Sequence, residues 1–206
     1  MGTGINIDAG KQAGKVSFSS RVFGVPAQQN PVVILHFNDL LRVLQPKTII
    51  EFGTAGGGLT CLLGLYCSAC DATMHTFDIS KKTSAGVDST LRSLGTNVHI
   101  TDIFSNVGRG CVAGILSECK RPVLLLCDNG NKIREVNEYS ILLKSGDVIM
   151  AHDYSRDRKF FESEVRGKYW NWCEITYDDV SSAMMDFKPY MQEFFVSSAW
   201  MSMVRK

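Results

Sequence analysis

The stretch that decides the fold is a short apolar run followed by glycines, with the sequence Ile49-Ile50-Glu51-Phe52-Gly53-Thr54-Ala55-Gly56-Gly57-Gly58. Apolar, helix-forming sequence follows at once over residues 59–65. This order predicts a buried strand, a tight glycine loop and a helix. Glycine suits backbone that turns with positive φ or approaches a ligand closely, and the helix N-terminus offers N–H groups to that ligand. Four glycines within six positions disfavour the alternative, an ordinary strand-to-helix turn.

Composition and charge exclude several classes of protein. The chain has 206 residues, which suits one domain, and a net charge of +1, which argues against a nucleic-acid surface. No apolar run reaches membrane-spanning length, and residues 1–20 lack the apolar core of a secretory signal. The cysteine count of seven is odd, which favours free thiols in a reducing compartment. We therefore predict a cytoplasmic protein with an N-terminal arm over residues 1–20 and one domain over residues 21–206.

Strand and helix alternate through the first three quarters of the chain. A helix over residues 32–45, with Asn30 as its cap and Pro31 at its first position, precedes the first strand. The predicted strands are 48–52, 73–77, 97–100, 122–127 and 148–151. The predicted helices between them are 57–67, 84–94, 111–119 and 133–143. This alternation is typical of a doubly wound, Rossmann-like α/β fold with a parallel sheet.

The remaining sequence follows a different pattern. We predict helices over residues 160–172 and 178–186, within a helical insertion around residues 155–193 on the substrate side. Two closing strands, 194–197 and 200–204, are separated by too few residues for a parallel crossover, so they are expected to be antiparallel neighbours. The complete prediction is a mostly parallel, seven-stranded sheet with an antiparallel last strand.

Each of the five predicted parallel strands ends in an acidic position. These positions are Glu51, Asp78, Asp102, Asp128 and the pair His152-Asp153. Because ligands of open parallel sheets bind beyond the carboxyl ends of the strands, the acids are expected on one functional rim. Any one of them alone is equally well explained as a helix cap or a solvated loop acid.

The glycine loop and two of these acids suit a cofactor that contains adenosine. The loop residues expected at the cofactor are Glu51, Gly53, Thr54, Ala55 and Gly57. Asp78, 27 positions after Glu51 and followed by Ile79, is placed to accept the ribose hydroxyl hydrogens. Asp102 is placed to accept from the adenine amine. These features leave a dinucleotide and S-adenosylmethionine both open.

The pattern Glu51-x-Gly53-x-Ala55-x-Gly57 resembles the first motif of the class I S-adenosylmethionine-dependent methyltransferases. The antiparallel closing pair is similar to the end of that fold, and a nicotinamide enzyme more often has an intact G-x-G-x-x-G, where this chain has Ala55. A more specific resemblance is to the cephalosporin hydroxylase-like group, which is similar in fold to sugar O-methyltransferases. It is carried by Phe23-Gly24-Val25-Pro26, by Asn30-Pro31 and by the run from Pro46 to Gly57, and it extends from about residue 23 to 154.

This resemblance implies a magnesium ion held by an acid after the fourth strand and two residues after the fifth. The matching residues are Asp128, His152 and Asp153, of which His152 replaces the usual carboxylate and would favour manganese or act as a base. The family's catalytic histidine falls on Asn131. Its neighbour Lys132 is the other candidate base, provided that the metal lowers its pKa.

The function expected is metal-assisted O-methylation of a small-molecule or sugar hydroxyl, with S-adenosylmethionine as methyl donor and Asp128 near the cofactor as well as the metal. A nicotinamide-dependent oxidoreductase and a non-catalytic S-adenosylmethionine-binding protein are the alternatives. Trp170 and Trp172 are expected either in the core or in the wall of the acceptor pocket. No nucleic-acid or membrane partner is expected, and the choice between a monomer and a homo-oligomer is left open.

Overall fold

A seven-stranded sheet forms the centre of residues 20–206, the part of the chain that the computed structural model describes. The predicted arm over residues 1–20 lies outside this part, except for Ser20. The strands of the sheet, in chain order, are β1 Thr48–Phe52, β2 Thr73–Asp78, β3 Asn97–Ile100, β4 Val123–Cys127, β5 Val148–Ala151, β6 Phe187–Pro189 and β7 Met201–Arg205.

The spatial order of the strands is β3-β2-β1-β4-β5-β7-β6. Strands β1 to β5 are mutually parallel, and β7 runs antiparallel to both of its neighbours. The predicted fold class, a mostly parallel sheet with an antiparallel last strand, is confirmed. Strand β2 lies on one side of β1 and strand β4 on the other. The strand order therefore reverses between β1 and β4, and open α/β sheets bind ligands at such a switch point.

Within residues 20–206, five helices of eight or more residues pack on the two faces of the sheet. They are α1 Val33–Leu44, α2 Gly58–Ala69, α3 Ala85–Ser93, α4 Asn106–Glu118 and α5 Lys132–Tyr139. Side chains of a strand alternate between faces, so Ile49 packs in the core layer with α1 and α2, whereas Ile50 packs with α4 and α5. Strands β1, β4 and β5 are buried along their whole length, which explains the continuous apolar sequences of β4 and β5.

The predicted strands β1 to β5 match within one residue, but several helix limits differ. Helix α1 begins at Val33, because Asn30 and Pro31 form a turn in which the Asn30 side chain accepts from Val32 N at 3.1 Å. Helix α4 begins at Asn106, five residues before the predicted start, with the Ser105 hydroxyl as its cap. A 3₁₀ turn, Ser140–Leu142, replaces the end predicted for α5.

The helices predicted beyond residue 155 are much shorter in the structure. Helix α6 Arg158–Phe160 continues as a π-helix, Phe161–Val165, and turns follow. Helix α7 Tyr177–Val180 begins with a capping box, in which Asp179 accepts from Thr176 N at 2.7 Å, and it ends after four residues. The prediction of a strand at 194–197 is wrong, because this segment forms the end of helix α8 Gln192–Phe195 and a 3₁₀ turn, Val196–Ser198. In α8, the centre of the Phe195 ring lies 5.7 Å from that of Phe37.

The outer neighbour of β7 is β6, which was not predicted from the sequence. Phe187 is buried in the core, whereas Lys188 and Pro189 are exposed at the sheet edge, where proline is tolerated. In the described part of the chain, two small strand pairs lie outside the sheet. Arg21–Val22 pairs antiparallel with Val25–Pro26, and Tyr154–Ser155 pairs parallel with Ile175–Thr176.

The glycine loop after β1 needs left-handed backbone at alternate positions. Gly53 has φ 103°, Ala55 has φ 45° and Gly57 has φ 87°. Glycine adopts these angles without steric cost, but a left-handed alanine costs about 1–2 kcal/mol. Ala55 is held there because its N–H donates to Asp78 Oδ2 at 3.0 Å.

Replacing Ala55 by glycine should therefore stabilise the fold. We expect Ala55→Gly to raise the free energy of unfolding by about 1 kcal/mol, which is about 2–4 °C in Tm for a chain of this length. The matched control is Ala113→Gly inside α4, where the backbone is right-handed and glycine should cost about 0.5–1 kcal/mol. Equal shifts of the same sign in the two variants, measured by thermal unfolding, would contradict the argument from backbone strain.

Candidate active site

A cavity of about 600 Å³ opens at the carboxyl ends of β1, β4 and β5. It lies at the switch point of the sheet, and its volume is in the range of small-molecule sites. The glycine loop with the start of α2 lines one part of the cavity, and Trp170, Asn171, Trp172 and Glu174 line another. The segment 26–29 forms part of the lining, and the ionisable side chains at the cavity are Glu51, Asp128, Lys132, His152, Asp153 and Glu174.

The start of α2 is open toward this cavity. Its N-cap is Gly57, which has no side chain to satisfy the first N–H groups, and Gly58 and Leu59 also line the cavity. The first N–H groups of a helix have no acceptor within the helix, so they form an anion- or ligand-binding end. A Cβ at Gly58 would lie 2.5 Å from the Pro26 carbonyl oxygen. Only glycine fits between this helix end and the backbone of Pro26.

Glu51 lies at the end of β1 and is almost completely buried. Its Oε2 accepts hydrogen bonds from Thr60 at 2.6 Å and Thr76 at 2.7 Å. Burial raises the pKa of Glu51 to about 8, although the two threonine hydroxyls lower it. The carboxyl group is therefore mainly protonated at neutral pH, and it lines the cavity as a hydrogen-bonding group of little net charge.

Three residues predicted at the cofactor do not line this cavity. Asp78 is buried behind the loop, where Oδ2 accepts from Ala55 N at 3.0 Å and from Lys82 Nζ at 3.2 Å. Ile79 is 62% exposed. Asp102 is exposed as well, and its Oδ1 accepts from Phe104 N at 2.8 Å. The other predicted residues are brought together at the cavity, namely Glu51, Gly53, Thr54, Ala55, Gly57, Asp128, Lys132, His152 and Asp153.

Asp128 and His152 form a hydrogen-bonded pair in the cavity. His152 Nδ1 lies 3.1 Å from Asp128 Oδ1, and the imidazole ring sits 4.8 Å from each of the rings of Trp170 and Trp200. Burial alone lowers the pKa of His152, but the Asp128 and Asp153 carboxylates outweigh burial and raise it above its ordinary value. Nε2 of His152 has no hydrogen-bond partner within residues 20–206.

Gln29 supports the other oxygen of Asp128. The indole N–H of Trp200 donates to Gln29 Oε1 at 2.9 Å, and Gln29 Nε2 donates to Asp128 Oδ2 at 2.8 Å. Because an indole nitrogen can only donate, the first bond fixes the amide orientation and directs its NH₂ group at Asp128. A chain of hydrogen bonds thus connects Trp200, the residue before β7, to the carboxylate after β4.

Lys132 is the buried cation of the site. Its side chain is 6% exposed, and Nζ lies 2.9 Å from Asp153 Oδ2, 2.9 Å from Glu174 Oε2 and 3.7 Å from Asp128 Oδ1. Burial alone would lower the pKa of Lys132, but Asp128 and Asp153 raise it above its ordinary value. The condition under which Lys132 was expected to act as a base, a lowered pKa, is therefore not met, because the acids around it stabilise the charged form.

The residues predicted to bind a metal are adjacent in space. Asp128, His152 and Asp153 each offer one ligand atom, and these atoms lie within 4.8 Å of one another. Two carboxylates and one imidazole suit manganese or zinc as well as magnesium. Each carboxylate oxygen of the two acids, however, already accepts from a protein donor, and the Lys132 ammonium lies against both groups. In this arrangement the three residues do not fit a metal ion.

Several residues of the site carried no clear signal in the sequence. Gln29 and Glu174 lie in irregular segments, where no spacing relates them to β4 and β5. Trp170 was expected either in the core or in the pocket wall, and it serves both purposes. It is 5% exposed, it lines the cavity, and its Nε1 donates to Asp153 Oδ1 at 2.5 Å.

The sheet order, the antiparallel β7 and the glycine loop after β1 together define the Rossmann-like fold of the S-adenosylmethionine-dependent methyltransferases. Among solved structures, CmcI-N160 in its apo form matches with a TM-score of 0.67 at 15% identity, over 96% of this chain and 81% of that one. CmcI-D160 with Mg and S-adenosylmethionine matches with a TM-score of 0.65 at 16% identity, over 97% and 82% of the two chains.

The O-methyltransferase TomG from Streptomyces achromogenes, in complex with S-adenosylmethionine, matches with a TM-score of 0.50 at 17% identity, over 87% of this chain and 82% of TomG. No protein-family model matches the sequence, and no curated protein matches it significantly. At these identities the likeness concerns the fold. The resemblance to class I methyltransferases that the glycine loop indicated is confirmed at that level.

The raised pKa of Glu51 predicts a specific dependence of stability on pH. The unfolded chain loses this proton near the ordinary pKa of 4.5, whereas the folded chain keeps it until about pH 8. Between these values the folded state binds more protons, so the contribution of Glu51 falls as pH rises, by up to about 1.4 kcal/mol per pH unit. In Glu51→Gln, which stays neutral and can accept from both threonines, this contribution should be absent.

Thermal or urea unfolding of both proteins across this pH range measures the difference. Other groups that titrate there, such as Glu135, whose burial raises its pKa to about 7, are present in both proteins and cancel. The wild-type chain should lose stability relative to Glu51→Gln as pH increases and level off above about pH 8. Parallel stability curves would show that Glu51 is ionised in the folded state.

Proposed function

We propose that this protein is an S-adenosylmethionine-dependent methyltransferase that methylates a hydroxyl group of a small molecule or sugar. The observation that carries the proposal is that one cavity is lined both by the glycine loop with the open end of α2 and by the Asp128–His152 pair. The first part suits a cofactor, and the second suits acid–base chemistry next to it. The structures of CmcI and TomG with S-adenosylmethionine support the choice of cofactor.

The chain offers a place for each part of this cofactor. We assign the amino-acid portion to the cavity between Glu51 and the first turn of α2, where hydrogen-bonding groups surround it. We assign the ribose to the rim near Asp78, whose carboxylate already positions the loop through Ala55 N. Lys82, which is half exposed and bound to Asp78, would leave that carboxylate when ribose hydroxyls arrive. Ile79 and Asp102 lie further along the same rim and are the proposed contacts of the adenine.

The acceptor is assigned to the part of the cavity between Asp128 and residues 170–174. Trp172 is 54% exposed and offers a flat surface for a ring, while Asn171 and Glu174 supply polar groups beside it. Such a wall suits a hydroxylated small molecule, either aromatic or sugar-like.

Within residues 20–206, no helix is long and apolar enough to cross a membrane.

In the proposed mechanism, S-adenosylmethionine supplies an electrophilic methyl group when it is bound. Asp128 presents its carboxylate at the cavity, receives the hydrogen bond of the acceptor hydroxyl and so orients its oxygen toward the cofactor. The hydroxyl proton passes to the Asp128 carboxylate, which the Nδ1–H group of His152 holds in position through its hydrogen bond to Oδ1. Lys132 remains charged and stabilises the negative charge that develops on the oxygen.

Assistance by a metal ion was also expected from the sequence, and a structure of CmcI contains magnesium. In this chain Asp128, His152 and Asp153 would hold the ion, which would lower the pKa of the acceptor hydroxyl. The hydrogen bonds that both carboxylates already make weigh against this variant of the proposal. No step of the mechanism above passes through a metal.

Binding of the demethylated cofactor, S-adenosylhomocysteine, tests the first half of the proposal. We expect calorimetry to detect binding to the wild-type chain. Gly58→Ala should weaken it by about tenfold or more, equal to 1.4 kcal/mol, because the added Cβ would lie 2.5 Å from the Pro26 oxygen and displace the helix end. The control is Gly110→Ala in α4, where a Cβ meets no atom within 4 Å.

A chain that binds NADH but not S-adenosylhomocysteine would instead be a nicotinamide enzyme. An equal change in the affinity for S-adenosylhomocysteine in Gly58→Ala and Gly110→Ala would show that the ligand binds away from the start of α2. Either result would contradict the assignment of the cofactor to the loop.

Methyl transfer to a panel of hydroxylated acceptors tests the second half. His152→Gln removes the imidazole that holds Asp128 Oδ1 in position but leaves the glycine loop intact. We expect kcat to fall by about 100- to 10,000-fold, with affinity for S-adenosylhomocysteine retained. His99→Gln, on the edge strand β3, is the control and should keep full activity. A wild-type chain that binds cofactor and methylates no acceptor would support the non-catalytic alternative.

A further inference from the structure

The Lys132 ammonium group lies among oxygen atoms in the way a bound cation does. Its neighbours are Asp153 Oδ2 at 2.9 Å, Glu174 Oε2 at 2.9 Å, the Asn129 carbonyl oxygen at 3.0 Å and Asp128 Oδ1 at 3.7 Å. Two of these groups, Asp128 and Asp153, are the carboxylates predicted to bind a metal. The lysine is buried, so it is held at this point by its surroundings rather than extended into solvent.

The start of α5 determines where this lysine is placed. Asn131 is the N-cap, and its Oδ1 accepts from Arg134 N at 3.1 Å. The Glu135 carboxylate accepts from the N–H groups of Asn129 and Asn131 at 3.3 Å and 3.1 Å. These bonds fix the first turn of the helix, with Lys132 four residues after Asp128 and directed at its carboxylate.

The remaining carboxylate oxygens are also engaged by protein donors. Gln29 Nε2 donates to Asp128 Oδ2 at 2.8 Å, and His152 Nδ1 lies 3.1 Å from Asp128 Oδ1. Trp170 Nε1 donates to Asp153 Oδ1 at 2.5 Å. With Lys132 at Asp153 Oδ2, each of the four oxygens has a partner within the chain.

We infer that Lys132 takes the place of a divalent cation in this site, so that the chain supplies the positive charge itself and works without a metal. A metal ion bound to Asp128 Oδ1 and Asp153 Oδ2 would be forced against the ammonium group, and like charges so close repel strongly. It would also have to displace hydrogen bonds to both carboxylates, and their donors are buried. The binding part of this inference rests on the contacts alone. The part that concerns catalysis rests on the proposed methyl transfer.

Lys132→Met tests the inference because methionine keeps much of the side-chain volume and removes the charge. Binding of Mn²⁺ to the whole chain can be followed by calorimetry and by the EPR signal of the free ion. The wild-type protein should bind Mn²⁺ no better than the exposed-site control Lys120→Met, in which only a surface lysine is changed. Lys132→Met should bind it about tenfold more tightly or better, because the two acids then lack their cation.

Lys132→Arg keeps the positive charge and should remain as indifferent to Mn²⁺ as the wild type, which guards against a variant that only loosens the fold. Mn²⁺ bound tightly by the wild-type chain, and lost in Asp128→Asn, would overturn the inference. So would an unchanged Mn²⁺ affinity in a Lys132→Met protein that still folds by circular dichroism. If Lys132→Met does not fold, the Mn²⁺ affinities of the wild type and of Asp128→Asn alone decide whether the inference stands.

Where methyl transfer is measurable, the wild-type rate should be unchanged by a chelator, and added Mg²⁺ should restore part of the activity that Lys132→Met loses. A wild-type rate that a chelator abolishes would overturn the inference. Mn²⁺ binding needs neither cofactor nor acceptor. Failure of the proposed methyltransferase function therefore leaves this test intact, and the two outcomes can be told apart.

Discussion

The ion pair between Lys132 and Asp153 is the interaction on which the site depends. Both side chains are largely removed from solvent, and a buried charge without a partner is strongly unfavourable, so each requires the other. Their contact joins the start of α5 to the loop after β5. Asp153 has φ 55°, an unusual angle for aspartate, and the bonds from Lys132 and Trp170 secure its side chain in that position. The arrangement sets the shape of the cavity floor and its charge.

The sheet brings these groups together from distant parts of the chain. Strands β4 and β5 are parallel neighbours, so Asp128 and His152, which follow their last residues, meet at one edge. Strand β1 lies next to β4 and delivers Glu51 and the glycine loop to the same edge. A Cβ at Gly53 would lie 2.3 Å from the Asp128 carbonyl oxygen, so the backbone of the loop packs directly against the backbone that follows β4. The proposed cofactor and acceptor positions thereby lie in one cavity.

The sequence predicted the parallel part of the sheet well because its signals are local. The buried strands β4 and β5 are continuous apolar runs, and they are followed directly by Asp128 and His152. The segment after residue 155 was predicted poorly because tertiary contacts decide its structure. Phe195 could belong to a strand or a helix by composition, and its packing on Phe37 in α1 selects the helix. Strand β6 was not predicted because it contains Pro189, and proline is tolerated in a strand only at the sheet edge.

The same division applies to the site. Strand ends indicated Asp128, His152 and Asp153, but the donors that saturate these acids come from Gln29 and Trp170, and no sequence spacing connects those residues to the acids. Lys132 was recognised as a candidate base, whereas its role as a cation became visible only through the acids gathered around it.

The most direct test of this account is a crystal structure of the chain soaked with S-adenosylhomocysteine and Mn²⁺, with data collected at the manganese absorption edge. We predict cofactor density against Gly57 and Gly58, with the Lys132 ammonium in contact with Asp153 and no anomalous peak between Asp128 and Asp153. A manganese peak between these two carboxylates, with Lys132 turned away, would contradict it.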